Sequence, residues 1–131
     1  MAGETLEIGG PGPVRLVELW ATWCDPCGPA SERARSVLAR HPQVVAYAVA
    51  LDSDRGAVVR HLASSPGLGT PLLYPGGASA AARRGLDRVP MFVALDVHGN
   101  VAGTVTGLSP GLGPALDRIL NQAEGRAGRH D

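Results

Sequence analysis

Two cysteines three positions apart, Cys24 and Cys27, sit at the junction between an apolar run and a stretch of helical periodicity. The apolar run covers residues 14–20 and holds one acid, Glu18, which predicts a buried strand. Downstream, Ala30, Ala34, Val37 and Leu38 recur at helical spacing and predict a helix to about residue 40. A strand feeding a helix at Cys24 limits the fold strongly. It begins a strand–helix alternation whose strands must pair in parallel through crossover connections. The chain has only these two cysteines, so no disulfide staples distant segments. Its 131 residues can bury a core without one.

The rest of the chain continues the alternation. Residues 1–13 are rich in Gly and Pro and read as an irregular lead-in. A second β-branched run predicts a strand over 44–51. Asp52, Ser53 and Asp54 read as an N-cap cluster for a helix from Arg55 to about Ala63. A brief extended piece follows over 71–74, then a short helix over 79–85. Strands are predicted over 91–95 and 101–106, joined by a hairpin turn in which Gly99 supplies positive φ. Ser109 is expected to cap a last helix over about 111–123, with Leu112, Leu116, Ile119 and Leu120 on one face. Residues 125–131 read as a frayed polar tail. Pro26 suits a helix start, whereas Pro29 is expected to bend the first turns. The order predicts one α/β domain over residues 1–131, with a core of about 14–123. It has a central mixed sheet and helices on both faces. No internal repeat is legible.

Composition excludes several function classes. The formal net charge is zero, and the basic residues are all Arg. No clustered positive charge suggests a nucleic-acid footprint. No apolar run approaches the roughly 20 residues that span a bilayer. Residues 1–12 show no basic segment followed by an apolar stretch, so no signal peptide is expected there.

The placement of the cysteine pair carries its chemistry. A helix N-terminus presents unpaired N–H groups and partial positive charge, and both favour a thiolate. Cysteines so placed fall below the free-thiol pKa of about 8.5. Cys24 is therefore expected to be the attacking nucleophile. Cys27, one turn deeper, is expected to resolve the mixed disulfide formed at Cys24. Between them Pro26 would rigidify the turn, and Asp25 would place negative charge beside the thiolate. The alternatives are a metal site or a purely structural pair. Zinc wants four protein ligands, or three plus water. There is no second Cys pair, and His41, His61, His98 and His130 are scattered, so neither a metal nor a cofactor is expected.

The stretch Trp20-Ala21-Thr22-Trp23-Cys24-Asp25-Pro26-Cys27 resembles the Trp-Ala-x-Trp-Cys-x-Pro-Cys signature of the thioredoxin superfamily. More narrowly it resembles the TlpA/ResA-like disulfide reductase branch. Residues 57–62 followed by 71–74 resemble that branch's helix-plus-strand insertion. Residues 79–86 resemble its helix before the cis-proline loop. Val89-Pro90-Met91-Phe92-Val93-Ala94-Leu95-Asp96, then Gly99, resembles its Val-Pro-Thr-Thr-Phe-Leu-Ile-Asp…Gly stretch. The resemblance covers about residues 14–120 and implies a thioredoxin fold with a TlpA-like helix/strand insertion.

The resemblance also implies roles. Pro90 is expected to be a cis-proline facing the cysteines, with the backbone of Val89 pairing with substrate. Glu18, six residues before Cys24, is expected to relay a proton to or from Cys27. Alternation sets Glu18 on one strand face with Leu16 and Trp20. That apolar face favours burial, which raises a carboxyl pKa towards neutrality. Trp23 is expected to lie beside the disulfide and shape the docking surface with Asp25, Pro26 and Val89; Trp20 reads as core. Two departures stand out. Met91 replaces the usual Thr after the cis-proline, and no leader or anchor of that branch is read in this chain.

The implied activity is exchange of the Cys24–Cys27 dithiol/disulfide with protein substrates, as a reductant recharged by an upstream electron donor. The chain is expected to be monomeric, with no nucleic acid and no membrane span. The branch implies an extracytoplasmic location, periplasmic or cell-envelope, with the cytoplasm as the alternative. Two other functions stay open: a general cytosolic thioredoxin, and a thioredoxin-fold binding module with vestigial redox activity.

Overall fold

Apolar alternation gives the sheet, and helical periodicity gives the layers that cover it. The computed structural model describes residues 8–125. The expected frayed tail beyond Gly125, His130 within it, and the first seven residues of the lead-in lie outside the described residues. The elements are β1 (Arg15–Trp20), α1 (Cys27–Leu38), β2 (Val45–Ala50), α2 (Arg55–Ser64) and β3 (Thr70–Leu73), followed by α3 (Gly77–Ala82), β4 (Met91–Leu95), β5 (Val101–Thr106) and α4 (Leu112–Ala123).

The five strands form one sheet in the order β3-β2-β1-β4-β5. β1 pairs in parallel with β2, and β2 with β3, as crossover helices require. β4 runs antiparallel to both β1 and β5. The sheet is therefore mixed. β3 extends the edge beyond β2, and α2 with β3 forms the helix-plus-strand unit anticipated between β2 and α3. Gly69 admits this edge strand: its φ is +63°, and a Cβ there would lie 2.1 Å from the carbonyl oxygen of Ala46. At the opposite edge Asp96 Oδ1 accepts from the backbone N–H groups of His98 and Asn100, 2.9 Å each, and shapes the β4–β5 turn.

Strand alternation sends the two faces into two cores. Leu16, Trp20, Phe92 and Ala94 pack with Ala30, Ala34 and Val37 of α1, Val58 of α2, and Leu112, Leu116, Ile119 and Leu120 of α4. Val17, Leu19, Val49 and Leu51 face the other way and are covered by Ala81 of α3. Each fully buried Leu or Phe contributes about 1.5–3 kcal/mol, so the face under α1 and α4 carries most of the stability. Trp20 is core, as expected, and its ring meets His61 of α2 at 5.3 Å between centroids.

Helix ends depart from the sequence reading. α1 begins at Cys27, with Pro26 as N-cap. Pro29 is thus the third helical residue, where the missing N–H is one the helix leaves unpaired anyway. The expected bend at Pro29 has no cause. Of the Asp52–Asp54 cluster only Asp54 caps α2, accepting from Gly56 N–H. Ser109 does not cap α4 through its side chain; Gly111 is the N-cap residue.

His41, just beyond α1, is buried between two carboxylates of the last helical segment. Its Nδ1 lies 2.6 Å from Glu124 Oε1, and its Nε2 lies 2.8 Å from Asp117 Oδ1. Each ring nitrogen is thus paired with a carboxyl group of the α4 segment. The contact with His41 in turn holds the Asp117 carboxyl below its ordinary pKa. The ring pins the end of α1 to α4. Removing a buried ring leaves a cavity and breaks both of its hydrogen bonds. His41→Ala should therefore lower unfolding free energy by about 3 kcal/mol, read from urea midpoints at pH 7. An unchanged midpoint would remove the clamp from this account.

Candidate active site

Parallel and antiparallel pairing bring three chain segments to one end of the sheet. β1 finishes at Trp20, and its ladder with β2 runs on to Leu51 N–H, which donates to Trp20 O at 2.8 Å. β4 starts beside that finish because it runs antiparallel; Leu19 pairs with Met91. Pro90, immediately before Met91, therefore stands at the level of Trp20. The Val89–Pro90 peptide bond is cis. Pro90 O accepts from Gly107 N–H at 2.8 Å, which ties the segment leading to α4 to the same corner.

The cysteines emerge from this corner. A turn, closed by Cys24 N–H donating to Ala21 O at 3.1 Å, carries the chain out of β1. Cys24 and Cys27 are joined by a disulfide, with Cα atoms 5.4 Å apart. The sequence reading put Cys24 at the helix start and Cys27 one turn deeper. Instead Cys27 is the first helical residue, and Cys24 lies two residues before the N-cap Pro26. Pro26 explains the shift, because proline suits the opening of a helix and the residue before it, Asp25, is pushed out of the helical region. Cys24 is half-buried and Cys27 buried. Cys24 and Val89 both border the two cores. Trp23 is 60% exposed; Asp25 and Pro26 are exposed as well, while Val89 is half-buried and Pro90 buried.

Glu18 of β1 has no exposed surface and is tied to α1. The hydroxyl of Ser31 donates to its carboxylate, with oxygens at 2.7 and 2.9 Å. Burial pushes the Glu18 carboxyl up from 4.5 to about 7, opposed by the Ser31 hydrogen bond and the Arg35 charge. Ser31 follows Cys27 by four positions, so both occupy the buried face of α1. The corner thus combines a half-buried cysteine, a buried one and, bonded to the same helix through Ser31, a carboxyl whose pKa burial raises to about 7.

Two residues of this corner were not singled out in the sequence. Ser31 could have been found from its i+4 relation to Cys27. Asp52 was read as a helix cap, yet its carboxylate accepts from Thr22 N–H at 2.9 Å and from the Thr22 hydroxyl at 2.5 Å. Among the described residues no three His, Cys, Asp or Glu side chains group so as to hold a metal ion.

No protein-family model matches the sequence, and no curated protein sequence does. Solved structures do match. A thiol:disulfide interchange protein DsbE from Chlorobium tepidum is 26% identical, with 86% of this chain and 80% of that chain covered and a TM-score of 0.74. Mycobacterium tuberculosis DsbF, solved in mixed oxidised and reduced forms, is 26% identical over 87% of this chain and 83% of that one, at a TM-score of 0.69. A secreted Mycobacterium tuberculosis disulfide oxidoreductase shares the fold at 22% identity and a TM-score of 0.64, covering 84% and 81%. The mixed sheet, the paired cysteines and these neighbours agree. The chain is similar in fold and in its paired cysteines to thiol–disulfide oxidoreductases, consistent with the TlpA/ResA-like branch of the thioredoxin superfamily that its sequence resembles.

Proposed function

We propose that the chain reduces disulfides of protein substrates, with Cys24 as nucleophile, Cys27 as resolving thiol and Glu18 as proton acceptor. The observation that carries this reading is a gradient of burial: Cys24 and Cys27 at the start of α1 are half-buried and buried, and Glu18 of β1, bonded to Ser31 of α1, is fully buried. A half-buried sulfur can meet a protein substrate; a buried one beside it cannot. The partial positive charge of the α1 N-terminus favours the Cys24 thiolate.

The Cys24 thiolate attacks one sulfur of a substrate disulfide, forming a mixed disulfide and releasing the other sulfur as a thiolate. Cys27 gives its proton towards Glu18 and attacks Cys24 Sγ. The Cys24–Cys27 disulfide forms and the second substrate sulfur leaves. The chain loses two electrons and the substrate gains them; of the two protons the substrate thiolates take up, one is the Cys27 proton passed on by Glu18 and the other comes from solvent. A donor dithiol reverses the sequence and restores the cysteines. Trp23, Asp25 and Pro26 offer the exposed surface around Cys24, and the Val89 backbone before Pro90 offers hydrogen-bonding groups to an extended substrate segment.

The reductive direction rests on resemblance to the disulfide-reductase branch, and the extracytoplasmic location on that resemblance and on the secreted structural neighbour. A monomer is the proposed working unit. Direction is decided by the reduction potential, measured by equilibration with glutathione. A reductant should come out at or below about −220 mV. A value near the −120 mV of a strong oxidant would reverse the assignment.

A further inference from the structure

We infer that Asp52 is a positioning residue for Cys24, acting through Thr22. This rests on the redox reading of Cys24 and Cys27. β2 ends at Ala50, and the chain leaves the sheet beside the turn that follows β1. There the Asp52 side chain is nearly buried. Both its oxygens are used by one residue, Thr22: Oδ1 takes the backbone N–H and Oδ2 takes the hydroxyl. A carboxylate that accepts from charge-neutral donors in a buried setting makes stronger bonds than a neutral acceptor would. Thr22 is inside the turn closed by Cys24 N–H and Ala21 O. The clamp therefore fixes the turn two residues before the sulfur that must reach Cys27.

The consequence is a linkage between the clamp and the disulfide. The two bonds favour the turn geometry in which Cys24 reaches Cys27. Whatever favours that geometry favours the disulfide over the open dithiol, and the disulfide in return strengthens the clamp. A residue that merely supported the fold would stabilise oxidised and reduced forms alike. Asp54, two positions on, serves as the internal contrast, because its carboxylate caps α2 at Gly56 N–H and faces Arg60 rather than the cysteine turn.

The test is equilibration with glutathione: the protein dithiol and one glutathione disulfide give the protein disulfide and two glutathione thiols. Losing a hydrogen bond to a charged group should lower this equilibrium constant about tenfold in Asp52→Ala. Thr22→Val, which keeps the backbone bond and loses the hydroxyl, should show a smaller fall in the same direction. Thr22→Ser restores both donors and should return the constant to the wild-type value. Urea unfolding of each form should show Asp52→Ala weakening the oxidised protein more than the reduced one. An unchanged equilibrium constant in Thr22→Val with equal loss of stability in both forms would overturn the inference. So would Thr22→Ser falling as far as Thr22→Val. Wild-type protein that fails to turn over a protein disulfide would instead count against the redox reading itself, so the two failures are distinct.

Discussion

Cys24→Ser should abolish disulfide exchange, whereas Cys27→Ser should stop it one step later, with substrate held on Cys24. The two sulfurs differ in access: Cys24 is half-buried and Cys27 buried at the first position of α1. Without Cys24 no exposed sulfur remains to attack, and turnover of an insulin-type substrate should drop to the rate of the chemical reductant alone. Without Cys27 the attack proceeds but the mixed disulfide has no internal thiol to resolve it. Mass spectrometry after acid quench should then find one substrate chain per Cys27→Ser molecule, linked at Cys24. Trapping through Cys27 in Cys24→Ser, at a comparable yield, would exchange the two roles.

Glu18→Gln should separate proton transfer from stability. Positioned general bases contribute roughly 10²–10⁴-fold, so at pH 8 the variant should resolve mixed disulfides at least about a hundredfold more slowly. The wild-type rate should rise with pH through a midpoint of about 7, where Glu18 becomes a base. In the Gln variant that limb should vanish. Stability moves the other way. The unfolded chain loses its Glu18 proton near 4.5, the folded chain near 7. Between these values the unfolded state holds fewer protons, so rising pH favours unfolding. The contribution is intact below pH 4.5 and gone above 7, a loss of about 3 kcal/mol. Gln has no charge to bury and can still accept from Ser31. The variant should match wild type near pH 4.5 and exceed it in urea midpoint at pH 8. Equal midpoints at both pH values would mean that Glu18 is not held in a costly buried state.

Much of this was legible because local patterns and tertiary needs agreed. Strands β4 and β5 have the bounds expected from the sequence, 91–95 and 101–106, and the apolar stripe of α4 is the face that packs on the sheet. Glu18 could be singled out because alternation put it between Leu16 and Trp20 on one strand face. What stayed hidden depended on residues distant in the chain. His41 looked like one of four scattered histidines, since Asp117 and Glu124 approach it only once α4 folds back over α1. Asp52 and Asp54 are the same residue type two positions apart, and nothing local says that one caps a helix while the other turns back to Thr22. The start of α1 was misplaced for another reason. The segment between the cysteines offers two prolines nearby and no side-chain cap, so periodicity alone could not choose between Cys24 and Cys27.

The central claim is that the Cys24–Cys27 pair passes two electrons to protein disulfides. It is tested most directly by a single turnover without any added reductant. Protein reduced beforehand and freed of reductant is mixed with excess disulfide-bonded insulin, and free thiols and peptide masses are followed. One insulin disulfide should open per chain, with the Cys24–Cys27 disulfide appearing at the same rate. Cysteines that stay reduced while insulin stays intact, in protein shown to be folded, would contradict it.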